Sequence, residues 1–409
     1  MKYVTIVVFI IIIVICIVLF PVIVNKTKSG TARTTSTNAL SDSHNAEHIT
    51  QNENDWPMFR GSRGLLGRAS GTLPDSLELA WKFKTASAVK SSPVIYGELV
   101  FVGSNDDNVY AIGLEKGNRV WAYKTGDAVE ATPCVVGDTV YVGSLDGFLY
   151  AIDIKSGSLK WKYETDGQIP GAANWTLSPD GKTIWILVGS YDNILHCVNS
   201  TNGKAVWKYQ SDNYINGSPA VEGSRAVFGG CDEMIHVVSL IDGSMEEKIE
   251  GGSYIAASAA VLDGQVYVGN YDNVFIKADI ATKKIVWRYT ESDDAFFSSP
   301  AVGQEKIIVG GRDELVHCIS RNDGIRLWAF QTLGEVDSSP VICGDKVIVG
   351  SSDGLIYMIR LSDGSKVWSY ETGQAITSSP AVAKEKVIIG CDDGYLYAFS
   401  ARSPQDNAN

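Results

Sequence analysis

Seven tryptophans, Trp81, Trp121, Trp161, Trp207, Trp287, Trp328 and Trp368, recur at intervals of 40, 40, 46, 80, 41 and 40 residues. A period near 40 held along most of a chain means one supersecondary unit, repeated and stacked so that each copy covers its neighbour's apolar face. The interval of 80 hides a further copy: in GSMEEKI, Glu247 stands four residues after Gly243, where GKAVWKY places Trp207 after Gly203. The 46-residue unit carries a hairpin extension, WTLSPDGKTIW, around residues 178–181. All eight units are then accounted for.

Every unit has the same grammar. A short segment such as SSPVI leads to alternating residues ending in V-x-V-G, followed by an Asp-Gly type turn. Then come L-Y-A-I-D, a turn at S-G or T-N-G, and K-x-W-K-Y. Period-2 alternation bounded by Gly and Asp turns specifies antiparallel strands joined by tight hairpins, and four strands per unit of about 40 residues make a propeller blade. An aspartate lies three residues after each strand-ending glycine: Asp106, Asp146, Asp192, Asp232, Asp272, Asp313, Asp353 and Asp393. The residue after it is Gly, Asn, Glu or Asp, so these aspartates read as turn formers. The tryptophans read as core that docks one blade on the next.

The repeat count also implies how the ring closes. The first tryptophan strand, around residues 79–84, precedes the first complete blade, and the last unit, 376–400, ends after three strands. Joining the two completes blade 8 and leaves no long open edge. The expectation is an all-β, eight-bladed propeller of four-stranded antiparallel blades over residues 55–400, with a tail at 401–409.

Ahead of the propeller, residues 4–24 form an apolar run, VTIVVFIIIIVICIVLFPVIV, after a three-residue flank. At about 1.5 Å per residue such a run reaches about 31 Å, enough to span a bilayer core, and it is longer than a cleaved signal's apolar stretch. It predicts an N-terminal transmembrane helix that anchors the chain as a single-pass membrane protein. Residues 25–54, rich in Ser, Thr, Asn and Ala, read as a polar stalk. Lys26, Lys28 and Arg33 follow the run and only Lys2 precedes it, a bias that taken alone places the C-terminal side in the cytoplasm. A net charge of −12 without a basic stripe excludes a nucleic-acid partner.

The segment DWPMFRGSRGLLG, then W-K-F-K-T and repeats of V-Y-V-G-S-x-D-G-x-L-Y-A-I-D-x-x-S-G-x-x-x-W-K-Y, resembles the pyrroloquinoline-quinone-like (quinoprotein-type) propeller repeats over residues 55–400. That resemblance implies a superfamily holding both quinone-dependent dehydrogenases and non-enzymatic scaffolds of the BamB type. The dehydrogenases hold their quinone between a tryptophan and a disulfide of neighbouring cysteines, beside a calcium ion. Here Cys16, Cys134, Cys197, Cys231, Cys318, Cys343 and Cys391 include no adjacent pair, and long blade insertions are missing. Neither quinone nor calcium, and no catalytic or metal-binding residue, is therefore expected. The family analogy further implies a propeller outside the cytoplasm, against the charge bias of the flanks.

Histidine offers no general base either. His196, His236 and His317 occupy the place that Tyr110, Tyr150, Tyr357 and Tyr397 hold in other units, so they read as packing residues with a satisfied polar tip. The position just before each S-S-P segment is different: Lys90, Glu130, Pro170, Asn216, Ala256, Phe297, Asp337 and Thr377 are eight unlike side chains at equivalent points of one funnel mouth. Of these Lys90, Glu130, Asn216, Phe297, Asp337 and Thr377 are the candidate ligand or partner site. The functional expectation is a non-catalytic binding or scaffold module with a protein or small-ligand partner at a propeller face. The rival readings are a quinone-dependent dehydrogenase and a BamB-like assembly factor for outer-membrane proteins.

Overall fold

The computed structural model describes residues 54–401; the apolar run at 4–24, nearly all of the stalk and the tail after residue 401 lie outside them. Among the described residues no helix is long and apolar enough to cross a membrane. They fold into eight antiparallel four-stranded sheets arranged as blades. Blade 1 is typical: Val94–Tyr96 innermost, then Leu99–Gly103, Asn108–Gly113 and Arg119–Lys124 outermost. In each blade the innermost strand is short, and it begins after the S-S-P segment, leaving the mouth residues in the preceding loop.

The turn after the second strand explains the aspartate column. The residue following the aspartate adopts the left-handed conformation in every blade, with φ from 62° at Asn273 to 84° at Gly354. In seven blades the aspartate carboxylate caps the turn, as when Asp146 accepts from the Phe148 N–H at 2.9 Å. Blade 5 departs from this pattern. There Asn270 Oδ1 accepts from the Asp272 and Val274 N–H groups, and Asp272 is exposed. In every blade the pairing of the third and fourth strands also slips by one residue beside the tryptophan column. Such a bulge sharpens the local twist that a propeller blade requires.

Closure follows the sequence expectation. Glu78–Lys84 pairs antiparallel with Tyr395–Ser400 and is the outermost strand of blade 8. The core is distributed between blades rather than central. One apolar cluster joins Val94, Phe101 and Trp121 of blade 1 to Val135, Val140 and Tyr150 of blade 2, and similar clusters follow round the ring.

Each tryptophan reaches the neighbouring blade. Trp81 Nε1 donates to Leu114 O at 2.8 Å, Trp121 Nε1 to Ile154 O at 2.9 Å, and Trp161 Nε1 to Ser200 O at 2.8 Å. In six of the seven the ring lies on a glycine in the left-handed conformation, and Trp368 packs instead on Phe399 of blade 8. A Cβ placed on Gly117, Gly157, Gly203, Gly243, Gly324 or Gly364 would come within 2.6–2.9 Å of the indole, so no larger residue fits. The blade 4 to blade 5 joint is built otherwise. Glu247 replaces the tryptophan and Lys283, with φ 60°, replaces the glycine; their side chains form an ion pair at 2.5 Å. Both members of the docking pair differ here, so an ion pair stands where most of the other joints place an indole on a glycine.

The sequence reading did not anticipate the role of residues 55–77. This leading segment crosses one end of the channel and bonds to the innermost strands in turn. Trp56 exchanges two backbone bonds with Ile95 of blade 1, Pro57 O accepts from Val135 of blade 2, and Arg63 O accepts from Val221 of blade 4. Gly64, Leu66 and Gly67 serve blades 5, 6 and 7 through Val261, Val302 and Ile342. Arg68–Ala69 then adds a parallel fifth strand to blade 7. At the centre Arg60 is only 1% exposed; it donates to Ser339 O at 2.9 Å, to Pro300 O at 3.0 Å and to Pro340 O. Burial pushes its guanidinium down to about 9, still protonated at neutral pH.

Candidate functional site

The leading segment closes one end of the channel, and the other end is a funnel. A cavity of about 180 Å³ lies between the mouth loops and a floor made by Phe59. Its wall is a belt of serines. The Ala172 N–H donates to Ser218 Oγ (2.9 Å), Ser218 to Ser258 (2.8 Å), Ser258 to Ser299 (3.0 Å) and Ser299 to Ser339 (2.9 Å). Ser339 then donates to Ser379 (3.0 Å) and Ser379 to Ser92 (2.9 Å). Six successive blade joints are thus bonded at the second residue of the S-S-P segment, which holds the mouth on a stiff ring.

Of the sequence-predicted site residues, Glu130, Asn216, Phe297, Asp337 and Thr377 line this cavity together with Pro170 and Ala256, and Lys90 does not. Lys90 lies on the rim and pairs with Glu130 at 3.4 Å, while Asn105 Nδ2 donates to the same carboxylate at 2.9 Å. Asn216 accepts from the Tyr191 hydroxyl at 2.6 Å and donates to Ala256 O at 3.0 Å. Asp337 is clamped by Arg312 through Nε at 3.0 Å and Nη2 at 2.8 Å. Donating to the Asp337 carboxylate keeps the Arg312 guanidinium above its ordinary pKa. Thr377 donates to Asp392 at 3.2 Å, and burial raises that carboxyl above its usual range.

Arg312 also stacks on Phe297, its guanidinium carbon 3.5 Å from the ring centroid. Tyr271 packs on the same phenyl ring at 4.6 Å and on Tyr254 at 6.2 Å. Tyr191 and Tyr214 stack at 4.9 Å. An aromatic arc therefore follows the mouth from blade 3 to blade 6. Tyr214, Tyr254 and Tyr271 are 50%, 49% and 43% exposed. These residues escaped the sequence reading because they fall in repeat columns where most blades carry no aromatic ring.

The three histidines sit at blade joints and have full polar partnership. Tyr163, Tyr209 and Tyr289 bond Nδ1 of His196, His236 and His317 at 3.0, 2.9 and 2.8 Å, each from the preceding blade. The other ring nitrogen meets the column aspartate, as in His236 Nε2 to Asp232 at 2.9 Å. With Nε2–H donating to the carboxylate, Nδ1 accepts from the tyrosine, so the neutral imidazole satisfies every partner. Desolvation depresses the pKa of His236 against the opposing pull of Asp232.

A larger hollow of about 790 Å³ lies on the opposite face beside Arg68–Ser70, walled by turns of blades 6 and 7 around Gly303 and Gly344. Its walls come from the turns of two blades and the segment beside them, whereas the mouth gathers side chains from every blade that differ from one to the next.

Eight blades closed by an N-terminal strand, tryptophans docked on glycines and a funnel ringed by S-S-P segments define a quinoprotein-type propeller. The chain belongs to the propeller family described as "Beta-alanine-activating enzyme, beta-propeller", which matches residues 172–407, and is of the pyrroloquinoline-quinone-like type. Residues 73–180 match the family described as "Outer membrane protein assembly factor BamB". No curated protein matches the chain significantly. Among solved structures, BamB from Moraxella catarrhalis is similar at 18% identity and TM-score 0.66, over 80% of this chain and 100% of that one. A europium-containing methanol dehydrogenase is similar at 12% identity and TM-score 0.72, over 86% of this chain and 99% of that one. Quinohemoprotein alcohol dehydrogenase from Comamonas testosteroni is similar at 13% identity and TM-score 0.70, over 89% and 83%. At such identities the likeness is one of fold.

The quinone site that the resemblance implies for dehydrogenases does not fit the residues at this mouth. Cys134, Cys197, Cys231, Cys318, Cys343 and Cys391 lie in six different blades, each a free thiol. Glu130 and Asp337, the carboxylates lining the cavity, are already matched by Lys90 and Arg312. The cavity, at about 180 Å³, is also below the roughly 300–1,000 Å³ usual for small-molecule sites.

Proposed function

We propose that this protein is a non-catalytic binding module, tethered to a membrane through residues 4–24, whose propeller lies outside the cytoplasm and recognises a protein partner at the funnel mouth. The observation that carries the reading is the ring of unlike side chains from Glu130 to Thr377 around a narrow cavity, held by the serine belt. A rigid frame with a single variable rim suits recognition better than chemistry, because the two carboxylates that line the cavity, Glu130 and Asp337, are already paired with Lys90 and Arg312. A photo-crosslinking amino acid at Phe297 of the full-length chain, in its own membranes, should join one partner that the same group at Lys182 on the opposite face does not. Identical products from both positions would sink the reading. Protease added to intact cells or spheroplasts should degrade the propeller, and full protection would overturn the placement.

A BamB-like role in outer-membrane protein assembly is the second reading, favoured by the match of residues 73–180 to that family. Crosslinks from the mouth to a β-barrel assembly machine would establish it. A dehydrogenase would instead show quinone absorbance on purification, or dye-linked alcohol oxidation once quinone and calcium are added.

A further inference from the structure

From the aromatic arc and the charges around it, we infer that the mouth face over blades 3 to 6 docks an arginine- or lysine-rich segment of a protein partner. This rests on the mouth being the partner site and names the chemistry of what it binds. The arc supplies ring faces: Tyr214, Tyr254 and Tyr271 stand about half exposed over one end of the propeller. Exposed, neighbouring aromatic rings on a rigid scaffold are contact surface at low entropy cost, and they attract cations through their faces.

The charge on this face selects the sign of the occupant. The loops that form it contain only two basic residues, Lys90 and Arg312, and both are engaged, with Glu130 at 3.4 Å and Asp337 at 2.8 Å. Asp166, Glu233, Asp272, Asp293, Asp294 and Glu314 are exposed there without an ion-pair partner among the described residues. Asp272 is the telling case. In the other blades the column aspartate is consumed by its turn, but in blade 5 Asn270 does that work and leaves the carboxylate beside Tyr271 directed to solvent. The loops of the opposite face mix signs, with Lys116, Lys155, Lys182, Lys204, Lys283 and Arg321 among their acidic residues. The protein also displays the binding mode internally. Arg312 lies over the Phe297 ring and is clamped by Asp337, and the neighbouring tyrosines and free carboxylates offer the same combination to an incoming guanidinium.

The test uses the full-length protein and a short fluorescein-labelled arginine–glycine peptide, with binding read by anisotropy at low and at physiological salt. Tyr214→Ala with Tyr254→Ala leaves net charge unchanged and should weaken binding about tenfold, as expected for two lost cation–π contacts. Asp272→Asn with Asp293→Asn and Asp294→Asn should weaken it further and flatten the salt dependence. Asp323→Asn with Asp363→Asn, on the opposite face, should leave affinity unchanged, and an aspartate–glycine peptide should not bind. Loss of binding in the opposite-face variant, or tyrosine variants that bind as the parent does, would reduce the effect to diffuse charge and overturn the inference. So would failure of the parent to bind. Unchanged melting of each variant excludes unfolding as the cause. The partner reading can survive such a failure: crosslinks from Phe297 into an acidic or uncharged segment would refute the basic occupant alone.

Discussion

The Glu247–Lys283 joint predicts a repair. At six of the other joints an indole lies on a left-handed glycine, and a side chain at that glycine would bring its Cβ within 2.6–2.9 Å of the ring. Glu247→Trp alone should therefore stabilise nothing, because the new indole meets the stem of Lys283. Lys283→Gly alone relieves a left-handed non-glycine residue at φ 60°, a gain of about 1 kcal/mol, and loses an ion pair that is largely solvent-exposed at its lysine end. Together the two changes recreate the usual joint. Truncating a buried tryptophan costs about 3–5 kcal/mol, and part of this slot is already covered by aliphatic stems, so burying the indole should return about 2 kcal/mol. The double variant should then exceed the parent by about 3 kcal/mol, with a coupling between the sites of at least about 2 kcal/mol. Far-UV circular dichroism during urea unfolding of the four proteins of the cycle measures this. Single effects that add to the double within about 0.5 kcal/mol would show that the two columns do not interact, refuting the reasoning.

Other expectations concern the hub, the belt and the histidines. Arg60→Met should cost about 3 kcal/mol, read as a lowered melting temperature, because three carbonyls of blades 6 and 7 lose their buried donor. Ser299→Ala should cost about 1–3 kcal/mol by stranding the Ser258 N–H, whereas alanine at exposed Ser365 on the outer rim should change the melting temperature little. His236 has a folded pKa below that of a free imidazole, so its contribution to stability is complete above about pH 6.5 and declines as the pH falls below it. His236→Tyr, the residue of blades 1, 2, 7 and 8, should flatten the acid limb of a melting-temperature profile. An unaltered slope would mean that His236 does not titrate between the two states.

The fold was legible wherever a physical requirement repeats. Tryptophan on glycine, aspartate before a left-handed residue and serine before proline each recur because every blade must solve the same packing problem, and their registers gave both the blade count and the closure at Glu78–Lys84. Residues 55–77 do not repeat, and their partners lie up to 280 positions away, as for Arg60 and Pro340, so no local pattern announces them. The Glu247–Lys283 pair was half visible. Glu247 stood out in the tryptophan column, and Lys283, standing in the glycine column of the next unit, was the signal that would have completed it. At the mouth the sequence identified the position that varies but not the engagement of its charges. Asp337 is neutralised by Arg312 from a different loop, and only folding brings the two together.

The leading segment makes the order of synthesis a structural matter. Residues 55–84 leave the ribosome before any complete blade, yet they hold the hub for seven blades (blade 3 through the Asn174 amide on Arg63 O) and supply the last strand of the eighth. Each new blade can dock against a hub already present, but the ring cannot lock until Tyr395–Ser400 arrives beside Glu78–Lys84. A chain stopped short at any blade keeps that outer strand unpaired, an open edge that proteases and chaperones can recognise. The same strand that makes the finished propeller edgeless therefore makes every incomplete one detectable.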